Sequence, residues 1–206
     1  MTKMFLASIV SETVHLVDCL LSKPFSECKV AFIPTAADPY EDKSFVEKDL
    51  NRLIELGFEV KQVDLKEKTE KQLLKEIAGC DLILVAGGNS FYLLEKALES
   101  GFNKAVKKLI EEGVFYAGSS AGTIITAPNI EPIKSLDDPS AASNLKNFEG
   151  LSLTDFLPLP HYDNEKYASK MKQIMQEYGS KIKIEPIADK EAIIIDGNKK
   201  WKVKAE

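Results

Sequence analysis

The sequence predicts an α/β protein, built on a doubly wound, mostly parallel β-sheet with helices on both faces and a C-terminal β-hairpin. Three observations predict this fold. Short apolar runs alternate five times with segments of helical periodicity, which is the order that produces a parallel sheet with right-handed crossovers. The last two runs flank Asp196-Gly197-Asn198, a typical hairpin turn. A chain of 206 residues fits one domain, spanning residues 1–206.

Each predicted strand is a short run of mainly apolar or alternating residues. In chain order the strands are residues 4–9, 28–33, 58–63, 81–86, 114–117, 156–159, 182–186, 192–195 and 200–203. The run at 81–86 is the most continuous apolar stretch, so we expect it to be a central strand that is covered on both faces.

The predicted helices lie between these strands and show apolar residues on one face. They cover residues 12–21, with Ser11 as N-cap, and residues 45–56, ending at Gly57. One more helix begins at Thr69, and the last three cover residues 91–98, 102–112 and 164–178. The segments 34–43 and 128–150 lack periodicity, and we expect them to be long loops, the second of which could cap a site.

Composition limits the classes of function. The 27 basic and 32 acidic residues give a net charge of −5 without a charged block, which argues against nucleic acid or a membrane surface as a partner. Cys19, Cys28 and Cys80 are odd in number and lack C-x-x-C spacing, so we expect buried thiols, no metal and no cofactor. The apolar segment 4–10 is too short for a signal sequence. We therefore expect a cytoplasmic protein, either monomeric or homodimeric.

The segment Gly118-Ser119-Ser120-Ala121-Gly122 follows an apolar run and precedes a helical segment. The pattern G-x-S-x-G at a strand-to-helix turn is typical of a nucleophile elbow, in which the central serine, Ser120, is exposed above the strand end. Clusters of small residues at such positions are more often simple turns. The pattern therefore needs support from the rest of the chain.

A catalytic serine needs a base, and histidine is the usual one. His15 lies within an amphipathic segment and is most simply a helix-face residue, whereas His161 follows a predicted strand end after Pro160. We therefore expect His161 to lie beside Ser120 at the same edge of the sheet. Asp137 and Asp138 lie between them in sequence, in the order Ser, Asp, His that α/β hydrolases show. By itself this pair is an ordinary turn.

The turn Gly87-Gly88-Asn89-Ser90 follows the strand at 81–86. It lacks the spacing of a dinucleotide-binding loop and the lysine of a P-loop. Gly88 and Ala121 are placed to direct their backbone N–H groups at a substrate carbonyl, as an oxyanion hole requires. We expect Asn89 and Ser90 to bind the substrate.

Three segments together resemble the signature segments of the peptidase E family: residues 86–94, 118–122 and 159–162. Members of this family are serine dipeptidases with a class I glutamine-amidotransferase-like fold. The resemblance covers residues 4–203. It implies Ser120 as nucleophile, His161 as base, Gly88 and Ala121 as oxyanion donors, and Asp137 as the third member of the triad, with Asp138 as the alternative. A small peptide, in this family one that begins with aspartate, would be the substrate.

Cyanophycinase-like relatives place a glutamate after an aspartate late in the chain. The comparable stretch here is Asp189-Lys190-Glu191, and because a lysine stands at that point we do not expect the third triad member there. Arg52 is the only arginine and lies far in sequence from the three segments. An aspartyl side chain would therefore need a lysine or backbone N–H groups in place of a bidentate arginine.

Two other functions fit the same fold. An amidotransferase-like glutaminase ordinarily uses cysteine at the elbow, and none of the three cysteines lies there. A binding or regulatory protein could keep the elbow without turnover. Incomplete triad geometry would favour the second alternative. The sequence favours a serine-type hydrolase of small peptides.

Overall fold

The computed structural model describes residues 2–206. Its strands are β1 (Lys3–Ala7), β2 (Lys29–Ile33), β3 (Glu59–Gln62), β4 (Leu82–Val85), β5 (Phe115–Ser119), β6 (Leu157–Leu159), β7 (Ile184–Pro186), β8 (Glu191–Asp196) and β9 (Lys199–Lys204). Seven of them form one sheet in the order β3-β2-β4-β5-β1-β8-β9. The first five strands of that order are parallel, whereas β8 pairs antiparallel with β1, and β9 pairs antiparallel with β8.

Helices cover both faces of this sheet. They are α1 (Val10–Thr13), α2 (Ser44–Glu55), α3 (Glu70–Ile77), α4 (Ser90–Glu99), α5 (Phe102–Glu111), α6 (Ala121–Ile124) and α7 (Ala168–Tyr178). Alternate residues of β1 belong to two separate buried clusters, Met4 and Leu6 to one and Phe5 to the other, because successive side chains of a strand point to opposite faces. The predicted α/β class, the parallel sheet and the C-terminal hairpin are confirmed.

Within residues 2–206, no helix has the length and apolar character needed to cross a membrane.

The helix predicted at 12–21 is wrong in type and in its cap. The chain forms the short α1 and then a 3₁₀ helix over Val14–Leu20, and the N-cap position of α1 belongs to Ile9. Ser11 therefore lies inside α1, where its N–H donates to Asp49 Oδ1 of α2 at 2.8 Å. The Thr13 hydroxyl donates to the Ile9 carbonyl, a local bond that competes with regular helix formation.

Strand β6 does not join the main sheet, although the sequence led us to place its end on the same sheet edge as the elbow. It pairs in parallel with β7, in a separate two-stranded sheet. The reason is that β5, which leads to the elbow, and its neighbour β1 are already paired on both sides. The loop after β6 nevertheless brings His161 to Ser120, as described below.

Candidate active site

Ser120 occupies the turn between β5 and α6 and has a strained backbone. Its φ of 48° and ψ of −106° lie outside the regions that non-glycine residues ordinarily adopt, and such strain persists only where the surroundings impose it. Here the Ser120 N–H lies 3.2 Å from the carbonyl oxygen of Ala7 and 3.1 Å from that of Ser8. The end of β1 therefore holds the serine in its partly exposed position.

The two glycines of the elbow are required by close packing. A Cβ atom on Gly118 would lie 2.6 Å from the carbonyl of Gly122, and one on Gly122 would lie 2.1 Å from the carbonyl oxygen of Val85. Neither position can hold a side chain without moving the backbone. The G-x-S-x-G pattern thus reflects the tight contact of α6 with β4 and β5.

His161 lies in hydrogen-bond contact with the serine. Its Nε2 is 2.9 Å from Ser120 Oγ, and its own backbone is left-handed with a φ of 61°. The His161 N–H donates to Ser8 Oγ at 2.8 Å, which stabilises this backbone conformation. The predicted proximity of Ser120 and His161 is therefore present in the structure.

The carboxylate that contacts His161 is Asp189, in the turn before β8. Its Oδ1 is 2.6 Å from His161 Nδ1. It also accepts hydrogen bonds from Ser8 Oγ at 3.0 Å and from Asn164 Nδ2 at 2.9 Å. Burial by itself would raise the pKa of Asp189, but the hydrogen bonds from Asn164, His161 and Ser8 outweigh it and lower the pKa below its usual value.

This contact corrects the prediction that Asp137 or Asp138 is the partner of the histidine. Asp137 Oδ2 accepts the N–H of Ser90 at 2.8 Å, and Asp137 makes no hydrogen bond to His161. Asp138 is exposed and accepts from the N–H and hydroxyl of Ser140. Lys190 made the stretch from Asp189 an unexpected place for the third triad member, but the residue that contacts the histidine is Asp189 itself.

Asn89 and Ser90, which the sequence predicts to bind substrate, are engaged at the start of α4. The Asn89 side chain caps α4, where it accepts the N–H groups of Phe91 and Tyr92, and it donates to the Asp138 carbonyl. Ser90 is fully buried. Neither residue lines the cavity beside Ser120, because both are used to start the helix.

The turn at Gly87-Gly88 lies directly against the nucleophile. A Cβ on Gly87 would be 3.3 Å from Ser120 Cβ, and one on Gly88, whose φ is 144°, would be 2.1 Å from the carbonyl oxygen of Ala36. The Gly88 N–H donates no hydrogen bond within residues 2–206. Ala121 is the first residue of α6, so its N–H has no acceptor within the helix. Both N–H groups are therefore free for a ligand.

Ser120 and His161 open into a cavity of about 540 Å³, which is within the usual range for small-molecule sites. Its lining carries charged residues of both signs: Asp49, Asp137, Lys166 and Lys170. Arg52 is not among the lining residues and forms an ion pair with Glu55 on α2. The cavity also includes Tyr40 from the 34–43 loop and Leu136 from the 128–150 loop, so both predicted loops border the site.

A serine on a strained elbow, in contact with a histidine at the carboxyl edge of a parallel sheet, is typical of serine hydrolases on α/β folds. Residues 9–203 match the family model described as Peptidase family S51. The chain therefore belongs to peptidase family S51 and is a serine-type peptidase. The resemblance to peptidase E that the three sequence segments predict is confirmed.

Individual relatives agree with this assignment. The uncharacterized peptidase Lmo0363 of Listeria monocytogenes is 38% identical over 168 residues, which is 82% of this chain and 82% of that protein. The uncharacterized peptidase PM1590 of Pasteurella multocida is 30% identical over 97% of this chain and 96% of its own length. A crystal structure of a Listeria monocytogenes EGD-e protein, provisionally named peptidase E, superposes with a TM-score of 0.93 at 34% identity, covering 100% of both chains.

Proposed function

We propose that this peptidase hydrolyses small peptides through Ser120, His161 and Asp189. The observation that carries the proposal is the continuous set of contacts from Ser120 Oγ to His161 Nε2, at 2.9 Å, and from His161 Nδ1 to Asp189 Oδ1, at 2.6 Å. This is the arrangement that a serine nucleophile, its base and an orienting carboxylate require.

In the first half of the reaction, Ser120 Oγ attacks the carbonyl carbon of the scissile bond while His161 Nε2 takes the proton of the serine hydroxyl. Asp189 stabilises the imidazolium that forms, and the N–H groups of Gly88 and Ala121 donate hydrogen bonds to the carbonyl oxygen as it becomes negatively charged. The imidazolium then gives its proton to the leaving amine, and the C–N bond breaks to leave an acyl-serine. Water, deprotonated by His161, hydrolyses this ester and regenerates Ser120.

The cavity favours a short peptide, and its charges differ from those that an aspartyl specificity would lead us to expect. No arginine lines it, and Lys166 and Lys170 are its cationic residues. A lysine contacts a carboxylate as a point charge and not as a bidentate fork. We therefore propose a dipeptidase activity, to be tested with dipeptides that have acidic, neutral and basic N-terminal residues.

Ser120→Ala is expected to abolish turnover of every dipeptide in that panel, because no other group can form the acyl intermediate. Turnover is measured by release of free amino acids, and folding by thermal melting. Ser90→Ala is the matched control: the Ser90 hydroxyl is buried and has no hydrogen-bond partner within residues 2–206, so this variant should retain turnover. Equal rates for wild type and Ser120→Ala would refute the proposal.

A serine-directed fluorophosphonate distinguishes the peptidase from a protein that kept the elbow without turnover. Labelling of the wild type and loss of labelling in Ser120→Ala are expected. An unreactive Ser120 would favour a binding function. Glutamine hydrolysis is expected to be absent, because a serine stands where the glutaminase reaction ordinarily uses cysteine.

A further inference from the structure

We propose that Ser8 is a positioning residue of the catalytic triad, which holds the nucleophile, the base and the carboxylate in one arrangement. Ser8 directly follows β1 and is fully buried. The inference rests on the proposed roles of Ser120, His161 and Asp189. It adds a fourth residue that acts on the reaction through these three.

Ser8 contacts every member of the triad. Its carbonyl oxygen lies 3.1 Å from the Ser120 nitrogen and accepts that N–H. Its Oγ accepts the His161 N–H at 2.8 Å and donates its own proton to Asp189 Oδ1 at 3.0 Å. A hydroxyl has a single proton to donate, so the carboxylate and the amide set the direction of these bonds. The side chain of Ser8 thus links the base to its carboxylate, while its main chain is bonded to the nucleophile.

The same hydroxyl supports one tautomer of the histidine. The pKa of Asp189 is lowered by its hydrogen bonds, so Asp189 is ionised near neutral pH and can only accept. The proton between Asp189 Oδ1 and His161 Nδ1, which are 2.6 Å apart, therefore belongs to the histidine. Ser8 Oγ lies 3.2 Å from Nδ1 and can accept from the same N–H. His161 Nε2 is then left unprotonated towards Ser120, as a general base requires.

The order of the strands explains why one residue reaches all three. Strand β1 lies between β5 and β8, and its last residue, Ala7, is in register with Ser119 of β5 and with Ala192 of β8. The nucleophile follows β5 directly, and Asp189 lies two residues before β8. The residue after β1 therefore stands between the nucleophile and the carboxylate.

Two of the positions that Ser8 holds have a strained backbone. Ser120 and His161 both have positive φ, 48° and 61°, a conformation that persists in non-glycine residues only where the surroundings impose it. Ser8 supplies one contact to each, from its carbonyl to Ser120 and from its hydroxyl to His161. Removing the hydroxyl leaves the carbonyl bond to the nucleophile in place. Ser8→Ala therefore tests the placement of the base and its carboxylate.

The test compares Ser8→Ala with Thr126→Val, the matched control. Each substitution removes one buried hydroxyl and conserves most of the side-chain shape. The Thr126 hydroxyl donates to the Thr123 carbonyl and makes no hydrogen bond to the triad in the part of the chain that the structure describes. Thermal melting verifies folding. Ser8→Cys, whose thiol is a weaker donor and acceptor, replaces Ser8→Ala if the alanine variant does not fold.

Ser8→Ala is expected to lower kcat by about 10- to 100-fold on the best dipeptide of the panel, because a displaced base slows the chemical step. KM should change by less than about threefold, since the substrate is bound by other groups. Thr126→Val should keep the wild-type constants. A kcat of Ser8→Ala equal to that of the control would overturn the inference. A loss in KM alone would also overturn it, because it would indicate a role in substrate binding.

A double-mutant cycle separates positioning from a general loss of stability. Residues that act as a unit give strongly non-additive losses, whereas independent effects multiply. Ser8→Ala should therefore lower kcat much less in the Asp189→Asn background than in the wild type. Thr126→Val serves as the control in both backgrounds. Losses that multiply for Ser8 and Asp189 would contradict the positioning role.

Proton NMR tests Ser8 without any turnover. The proton that His161 Nδ1 shares with Asp189 is expected to give a separate downfield resonance in the wild type, in Thr126→Val and in Ser120→Ala. Ser8→Ala should shift or broaden this resonance, and this result would support the positioning role even if the wild type hydrolysed no peptide, an outcome that would refute only the proposed function. An unchanged resonance in Ser8→Ala would refute the role of Ser8.

Discussion

Asp189 and Asp137 are two carboxylates of one site with opposite surroundings. Asp189 accepts hydrogen bonds from Ser8 and Asn164 and contacts His161, and its pKa is lowered; Asp137 accepts one N–H and its pKa is raised by burial. Environments that push the pKa values of neighbouring acids apart are a common sign of different roles. Here the low-pKa group is the one that faces the histidine.

Asp189→Asn is expected to lower kcat by about 10³-fold or more with a smaller change in KM, because an amide cannot stabilise the imidazolium and favours the wrong tautomer of His161. The measurement is steady-state kinetics on the best dipeptide of the panel. Asp138→Asn serves as the control and should retain wild-type rates. A decrease in kcat of less than tenfold in Asp189→Asn would show that Asp189 is not the third member of the catalytic triad.

The sequence predicted Ser120 and His161 but missed Asp189, and the reason is physical. The elbow is a local pattern, since Gly118 and Gly122 are needed within the turn itself. Asp189 reaches the histidine only because β8 pairs with β1, which brings the turn before β8 beside Ser8. Lys190 is directed away and donates to the Glu206 carbonyl, so it does not disturb that contact.

At the scale of elements, the predictions are confirmed where the sequence pattern is long and where the residues that define the element lie within it or at its ends. Thr69 caps α3 with a capping box, as expected from its position, and Gly57 ends α2 with a φ of 95°. The errors fall at α1 and β6, both of which depend on partners far away in the chain. The Ser11 N–H donates a hydrogen bond to Asp49 on α2, and β6 is paired with β7.

Asp49 is the buried link between α2 and the start of α1. It is 3% exposed, and burial raises its pKa although hydrogen bonds from Ser119 and Ser11 act in the opposite direction. The folded state therefore holds the Asp49 proton to a higher pH than the unfolded chain, whose aspartates have a pKa of about 3.9. The contribution of Asp49 to the free energy of unfolding falls as the pH rises from that value through its folded pKa.

Asp49→Asn removes this titration while its amide oxygen can still accept the Ser11 N–H. The Tm of the variant relative to wild type is therefore expected to rise between pH 4 and pH 7.5, by about 2 to 4 °C for each kcal/mol of free energy of unfolding. Melting curves across that range measure the difference. A Tm difference that is constant with pH, or that falls, would contradict the raised pKa of Asp49.

At the scale of the whole molecule, the main sheet has two open edges, β3 and β9. Strand β9 carries Lys199, Lys200, Lys202 and Lys204. Lys200 pairs with Glu185 and Lys202 donates to the Pro186 carbonyl. Lysines on an edge strand discourage pairing with another chain. The sequence predicted the hairpin but not that its second strand would be the sheet edge.

Replacing Lys199 and Lys204, both exposed, with valine is expected to increase self-association through β9. Light scattering at rising protein concentration measures this effect. The matched control replaces Lys71 and Lys75, which are exposed on α3, with valine. Similar association of both double variants would show that lost charge, and not the strand edge, is responsible.

The nucleophile and its base are carried by two separately hydrogen-bonded sheets. Ser120 follows β5 of the seven-stranded sheet, and His161 follows β6 of the two-stranded sheet. The two sheets nevertheless share one buried cluster, to which Leu157 and Leu159 of β6 and Met4 and Leu6 of β1 all belong. Because regions with many buried apolar contacts open only near the global free energy of unfolding, warming is expected to separate Oγ from Nε2 only as this common core melts, so that activity and global structure disappear over the same temperature range.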